Sequence, residues 1–241
     1  MPAPTIALIS TGLSLAVELS NKARSIVPPE CRVINIVDDS IVSVIEKESD
    51  EKENCVLPLS ITRRICDYAV YAECSGADVI LVTCSSISEA VDVASKLVKV
   101  PVLKIDEPMI EEALTKGVRI GVVATLPTTL GPTVRLLKRK ADESGRKVEV
   151  KSVLVQGAFK LLSEGRKEKH NSLVRKAIGK LEVSADCIIL AQASMAQAIE
   201  RFHTKVPVLT SFPSGLKVAC DLFLSRTQLK NNSQTESALD K

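Results

Sequence analysis

Short runs of β-branched and aliphatic residues alternate along the chain with longer stretches of helical periodicity. The runs at 5–10, 32–37, 78–83, 101–105, 119–124, 148–154, 186–191 and 206–210 predict eight strands. Helical patterns fill most of the gaps. "SLAVELSNKARSI" follows the first strand, and "EPMIEEALTKG" ends on a glycine that suits a helix C-cap. "PTTLGPTVRLLKRKADESG" follows the fifth strand and again ends on glycine. Alternation of this kind predicts an α/β fold built from mostly parallel strands. The closing segment "RTQLKNNSQTESALDK" is polar and poor in apolar residues, which predicts a frayed, disordered tail over 227–241.

The pattern repeats. "GADVILVTCSSISEAVDVA" overlays "SADCIILAQASMAQAIERF" at a shift of 108 residues, matching Ala77, Asp78, Ile80 and Ser86 to Ala185, Asp186, Ile188 and Ser194. Each copy leads into a similar phrase, "VPVLKIDEP" and "VPVLTSFPS", and the strand phrases "IALISTGLSLA" and "IGVVATLPTTL" also correspond. Three matches in the same order predict two pseudo-symmetric, three-layer α/β halves with the active site in the cleft between them. The first half spans 1–107 and takes back a C-terminal helix at about 212–226; the second spans 108–211. In open α/β sheets ligands sit beyond the carboxyl ends of the strands, where helix N-termini present free N–H groups. Two facing halves enclose a small ligand between matching cups. Cys84 ends one strand, and Gln192 stands at the equivalent place in the other half.

Composition narrows the function classes. Apolar residues make up 45% of the 241 and charged residues 25%, an ordinary balance for a globular protein. The net charge of +3 is thinly spread, and the clusters Lys138-Arg139-Lys140 and Arg166-Lys167 read as solvated helix faces, so no nucleic-acid partner is expected. No apolar run approaches the roughly 18 residues that a membrane span needs, so no membrane partner is expected either. "MPAPTIALIS" lacks a positively charged leader and reads as a first strand. Seven cysteines, an odd number without a Cys-x-x-Cys pair, predict reduced thiols in a cytoplasmic protein and no metal site.

Candidate chemistry gathers at the strand ends. Cys84 precedes a helical pattern, where a helix N-terminus lowers a thiol's pKa and prepares it as a base or nucleophile; it also suits a small packed residue. Thr83, Ser85 and Ser86 around it serve as helix caps or hold a ligand carboxylate. Thr125, Thr128 and Thr129 form the corresponding cup of the second half, with Pro127 suited to a first helical turn. Gln192 cannot take a proton at neutral pH and only donates or accepts hydrogen bonds, so with Ala193 and Ser194 it marks either a diverged, inactive second half or a place that binds a substrate oxygen or an enediolate-like intermediate. Ser10, Thr11 and Gly12 after the first strand line the same cleft. Capping explains one of Asp38 and Asp39, and capping also explains Asp106 and Glu107. Cys187 reads as core, His203 as lying at the wrong end of the sheet and His170 as a surface residue, which removes a Cys–His pair.

The phrases "NIVDDS", "GADVILVTCSS", "PVLKIDEPMIEEA", "RIGVVATLPTTLGPT" and "DCIILAQASMA" resemble the aspartate/glutamate/hydantoin racemase superfamily over nearly the whole chain. The resemblance implies a cofactor-independent isomerase acting at the acidic carbon of a small amino acid, hydantoin or related carboxylate. In that family one cysteine on each half faces the substrate carbon. It further implies that Cys84 is catalytic, that Thr125 contacts a carboxylate, that Asp39 approaches the mouth of the site, and that a homodimer is a common arrangement. The second family cysteine is missing, because Gln192 stands there. A single-cysteine lyase or decarboxylase on the same fold, or a non-catalytic ligand-binding protein, therefore stands beside racemisation.

Overall fold

The computed structural model describes residues 3–48 and 56–239. It contains two four-stranded, wholly parallel sheets of one topology. The first has the order β2-β1-β3-β4, with β1 Thr5–Ser10, β2 Arg32–Val37, β3 Val79–Val82 and β4 Val102–Lys104. The second has the order β6-β5-β7-β8, with β5 Arg119–Ala124, β6 Glu149–Leu154, β7 Cys187–Leu190 and β8 Val208–Thr210. All eight predicted strands are present, trimmed by a residue or two at some ends. The central strands β1, β3 and β7 are buried along their whole length, which is why they read as continuous apolar runs.

The two sheets repeat each other bond for bond. Ile6 pairs with Val79 as Ile120 pairs with Cys187. At the amino edge, Asp78 Oδ2 accepts the Thr5 N–H at 2.9 Å, and Asp186 Oδ2 accepts the Arg119 N–H at 2.9 Å. The shared Ala-Asp dipeptide thus pins β3 and β7 to their neighbours by one device. At the carboxyl edge, Thr83 N–H donates to Ile9 O and Ala191 N–H to Val123 O, both at 2.9 Å.

Helices cover both faces. α1 Leu13–Ile26, α2 Ser40–Glu48, α3 Leu59–Cys74 and α4 Ser88–Ala94 belong to the first sheet. α5 Glu107–Lys116, α6 Pro127–Glu143, α7 Ala158–Ser163 and α8 Lys167–Leu181 follow in the second. The last helix, α9 Ser211–Leu239, returns to the first sheet, where Phe212, Leu216, Ala219, Cys220 and Phe223 pack against Ile6, Leu8, Val79 and Leu81.

Four expectations need correction. The helix expected at about 212–226 starts at Ser211 and continues to Leu239, because residues 226–239 contain no glycine or proline to stop it; polar composition argued against burial, not against helix. Gly117 is not a left-handed cap: its backbone is extended (φ 168), and a Cβ there would lie 2.3 Å from Asp186 Cβ, so close approach selects glycine. His170 is fully buried, not at the surface, since it lies on the face of α8 that also buries Val174, Ile178 and Leu181. Asp106 makes no side-chain cap to α5. Among the described residues no helix is long and apolar enough to cross a membrane.

Candidate active site

In each sheet the chain runs outward in opposite directions from the two central strands, so a crevice opens beyond their carboxyl ends. Thr11 follows β1 and Cys84 follows β3 at the first crevice; Thr125 ends up at β5 and Gln192 at β7 at the second. Cys84 and Gln192 have nearly the same extended backbone (φ −128, ψ 120 and φ −123, ψ 134), and each precedes a 3-10 turn, Ser85–Ile87 or Ala193–Ala198. Ile87 N–H donates to Cys84 O at 3.2 Å and Met195 N–H to Gln192 O at 3.0 Å. The repeat in the sequence therefore becomes a repeat in the site.

Both residues line one cleft of about 430 Å³ between the halves. Of the residues singled out from the sequence, Thr11, Thr83, Ser85, Ser86, Thr129, Ala193 and Ser194 also line it. Thr129 and Ser86 join across the halves through their hydroxyls at 2.8 Å. On the outer side of that contact Arg135 bonds Glu89 at 2.6 Å and Arg139 bonds Asp92 at 2.7 Å, so α6 of the second half is tied to α4 of the first.

Others are placed elsewhere. Ser10 is buried behind the cleft and bonded to Thr83 Oγ1 at 2.8 Å, while the Thr83 hydroxyl donates to Ile9 O at 3.1 Å. Thr125 is buried; its N–H and hydroxyl donate to Gln192 Oε1 at 2.6 and 2.8 Å, and it borders an adjoining pocket on the α7 side. Thr128 is buried on α6 and does not reach the cleft. Asp39 is exposed and outside the lining. Its neighbour Asp38 turns inward and accepts from Ser40 Oγ at 2.6 Å, Tyr68 Oη at 2.7 Å and Arg64 Nη1 at 3.2 Å. Burial alone would raise the Asp38 carboxyl, but these bonds hold it below the ordinary aspartate value.

The structure adds lining residues that carried no sequence signal. Leu15 on α1, Val42 on α2, Leu126 at the start of α6, and Phe159 and Leu162 on α7 form an apolar wall. Ser14, Ser163 and Ser211 add hydroxyls.

Cys84 is half-buried and is the one readily titratable side chain among the lining residues. Its thiol is not activated by a helix terminus as the sequence suggested. Burial pushes its pKa above the ordinary value; hydrogen bonding by the Thr11 hydroxyl and by the Ser86 N–H and hydroxyl pulls down, and the nearby Asp106 carboxyl pushes up again. The segment after Cys84 is a three-residue 3-10 turn and a seven-residue helix, too short to offset desolvation. A thiolate formed here is sparsely populated and correspondingly a stronger base. Cys187, the nearest cysteine in the second half's sequence, lies in the core with its thiol pushed up to about 11. Among the described residues no cluster of three or more His, Cys, Asp or Glu side chains could hold a metal ion.

Two parallel α/β halves of one topology, closed over a shared cleft with a thiol at one strand end, define a paired-cup α/β fold. The chain belongs to the Asp/Glu/hydantoin racemase family, whose profile matches residues 6–219. The structure is similar to glutamate racemase from Francisella tularensis in complex with D-glutamate, at TM-score 0.71 and 14% identity over 94% of this chain and 83% of that one. It is also similar to allantoin racemase from Klebsiella pneumoniae, at TM-score 0.62 and 18% identity over 94% and 89%. Aspartate racemase from Picrophilus torridus gives 0.64 and 15% over 92% and 94%. At such identities the likeness speaks for the fold. No curated protein sequence matches the chain.

Proposed function

We propose that this protein is a cofactor-independent isomerase acting on a small carbon acid, with Cys84 as the thiol that moves the proton. One observation carries the reading: Cys84 stands at a strand's carboxyl end in the inter-half cleft, the only acid–base side chain in the lining among the described residues. A carbon acid next to a carbonyl or carboxylate loses its proton to a positioned base when the developing oxyanion meets donors already in place. Here the donors are Ser86, Thr11, Ser194 and the amide NH2 of Gln192.

The lining also bears on the substrate. Among the described residues it contains no carboxylate to receive an α-ammonium and no lysine, arginine or histidine. Burying an unpaired ammonium there would cost several kcal/mol, about the size of a whole binding energy for a weak ligand. The cleft instead suits a carboxylate or carbonyl compound without a free amine, carrying an apolar group against Leu126, Phe159 and Leu162.

A second reading rests on the bond between Gln192 and Thr125. Gln192 Oε1 is taken by two donors from Thr125, so the amide faces the ligand as a donor. An amide that stabilises an oxyanion opposite a single thiol suits a one-base lyase or decarboxylase as well as an isomerase. Alkylation tests the shared premise. Iodoacetamide should modify Cys84 increasingly as pH rises through the alkaline range, and a bound carboxylate ligand should protect it. A Cys84 that stays inert at every pH, with or without ligand, removes the thiol from the mechanism.

A further inference from the structure

One buried acid of the first half has no counterpart in the second. Asp106 follows β4 and is fully buried, and its carboxyl oxygens make no close hydrogen bond among the described residues; the Ser85 hydroxyl alone of the neighbouring side chains bears on it as a donor. Strand register fixes where it lies. β3 and β4 pair Val82 with Lys104, and Ile105 N–H donates to Val82 O at 3.0 Å. Two residues further along the two strands come Cys84 and Asp106, close enough at the carboxyl edge of the sheet that the carboxyl acts on the thiol. The same register in the second half pairs Leu190 with Thr210 and brings Phe212 beside Gln192. Where the thiol is replaced by an amide, the carboxyl is replaced by a ring.

An unpaired carboxyl in the interior is costly and is retained only where something offsets it. Of the charged groups near it, Lys104 favours its ionised form and Glu107 opposes it, and each has another partner. Lys104 is tied to Asp92 at 2.6 Å, and Glu107 is tied to Lys140. Beyond β3 comes Cys84 itself, on whose thiol the Asp106 carboxyl acts. Ser85 stands between Asp106 and the cleft, lining the cleft and favouring the carboxylate form, while burial pushes the acid the other way, above its ordinary value.

We propose that Asp106 is a positioning residue whose charge behind Ser85 decides how readily Cys84 can carry negative charge. Two anions at neighbouring strand ends, one of them fully buried, repel, so the second charge forms less readily than the first. With Asp106 neutral the Cys84 thiolate forms; with Asp106 ionised it is suppressed. The inference builds on the reading of Cys84 as the working thiol.

The test is the pH profile of Cys84 alkylation in the full-length chain, read by mass spectrometry of the Cys84 peptide, for wild type and Asp106→Asn. Removing the charge should move the profile to lower pH by about one unit, about tenfold faster alkylation at a fixed pH below the midpoint. A profile that does not move, or moves up, overturns the proposal. Should Asp106→Asn fail to fold, carbon-13 NMR of the wild-type aspartate carboxyls carries the test. The Asp106 resonance should titrate above the ordinary aspartate range and shift when Cys84 is alkylated; one that titrates in the ordinary range, or ignores alkylation, overturns it. Wild-type Cys84 inert to alkylation at every pH would instead sink the functional reading, so the two failures are distinguishable.

Discussion

Gln192 is the residue on which the second half turns, and its replacement separates structure from chemistry. Its Oε1 accepts both the N–H and the hydroxyl of Thr125, at 2.6 and 2.8 Å, and Thr125 is only 4% exposed. Gln192→Met keeps the length and removes the acceptor, leaving a buried backbone N–H and a hydroxyl without a partner. Such a loss costs about 1–3 kcal/mol. For a chain of this size each kcal/mol moves the midpoint by about 2–4 °C, so Tm should fall by roughly 2–12 °C. Gln192→Glu keeps an acceptor in the same place, and a carboxylate bonded to an N–H is held ionised. Its Tm at neutral pH should stay close to that of wild type, as the charge-assisted bonds offset desolvation. The same variant sets a negative charge in a cleft whose lining has none, so an anionic ligand should bind more weakly. Thermal unfolding followed by circular dichroism checks the first part, and titration with a carboxylate ligand checks the second. A methionine variant as stable as wild type, or a glutamate variant that falls as far as methionine, would refute the reasoning.

Two other predictions concern the frame around the site. Gly215 is the fifth residue of α9, where alanine would ordinarily help a helix by about 1 kcal/mol. A Cβ there would come within 2.2 Å of Ile105 O, however, so Gly215→Ala should lower Tm by several degrees and speed alkylation of Cys84 as the α9 end lifts; a higher Tm contradicts the packing. Asp186 is held down to about 2 by the Arg119 guanidinium and by the Arg119 and Val118 N–H groups. A depressed carboxylate stabilises above its unfolded value near 3.9 and loses that contribution as pH falls toward about 2. Asp186→Asn should therefore flatten the loss of Tm across that acid window, and an unchanged slope would refute the assignment.

The fold was legible because parallel strands buried on both faces leave continuous aliphatic runs, and because two such sets recur in one order. The matched Asp78 and Asp186 show why: the same bond at the same strand edge preserves the same residue twice. Cys84 and Gln192 were legible for the same reason, since the overlay set one on the other before any contact was known. What stayed hidden depends on rotamers and on closure. Nothing in "VDDS" tells which aspartate turns inward, and the structure turns Asp38 toward Arg64 and Tyr68 while Asp39 faces out. The pairing of Thr125 with Gln192 needs β5 and β7 side by side, which spacing along the chain does not reveal. The direction of the Cys84 pKa depends on burial, which outweighs the lowering by the Ser86 N–H at the start of the turn. The apolar wall of Phe159 and Leu162 comes from a six-residue helix whose pattern is too short to mark a face.

The central claim is that Cys84 removes a proton from carbon. Its most direct test is incubation of the wild-type chain and Cys84→Ser in deuterium oxide with a panel of single-enantiomer carbon acids, some bearing a free amine and some not. The acidic position is followed by proton NMR and chiral chromatography. The account predicts deuterium at that carbon with wild type, for amine-free members carrying an apolar group, and none above background with Cys84→Ser. Inversion accompanying exchange would mark an isomerase, and loss of carbon dioxide or a fragment would mark the one-base lyase. Exchange that persists undiminished in Cys84→Ser would contradict the account.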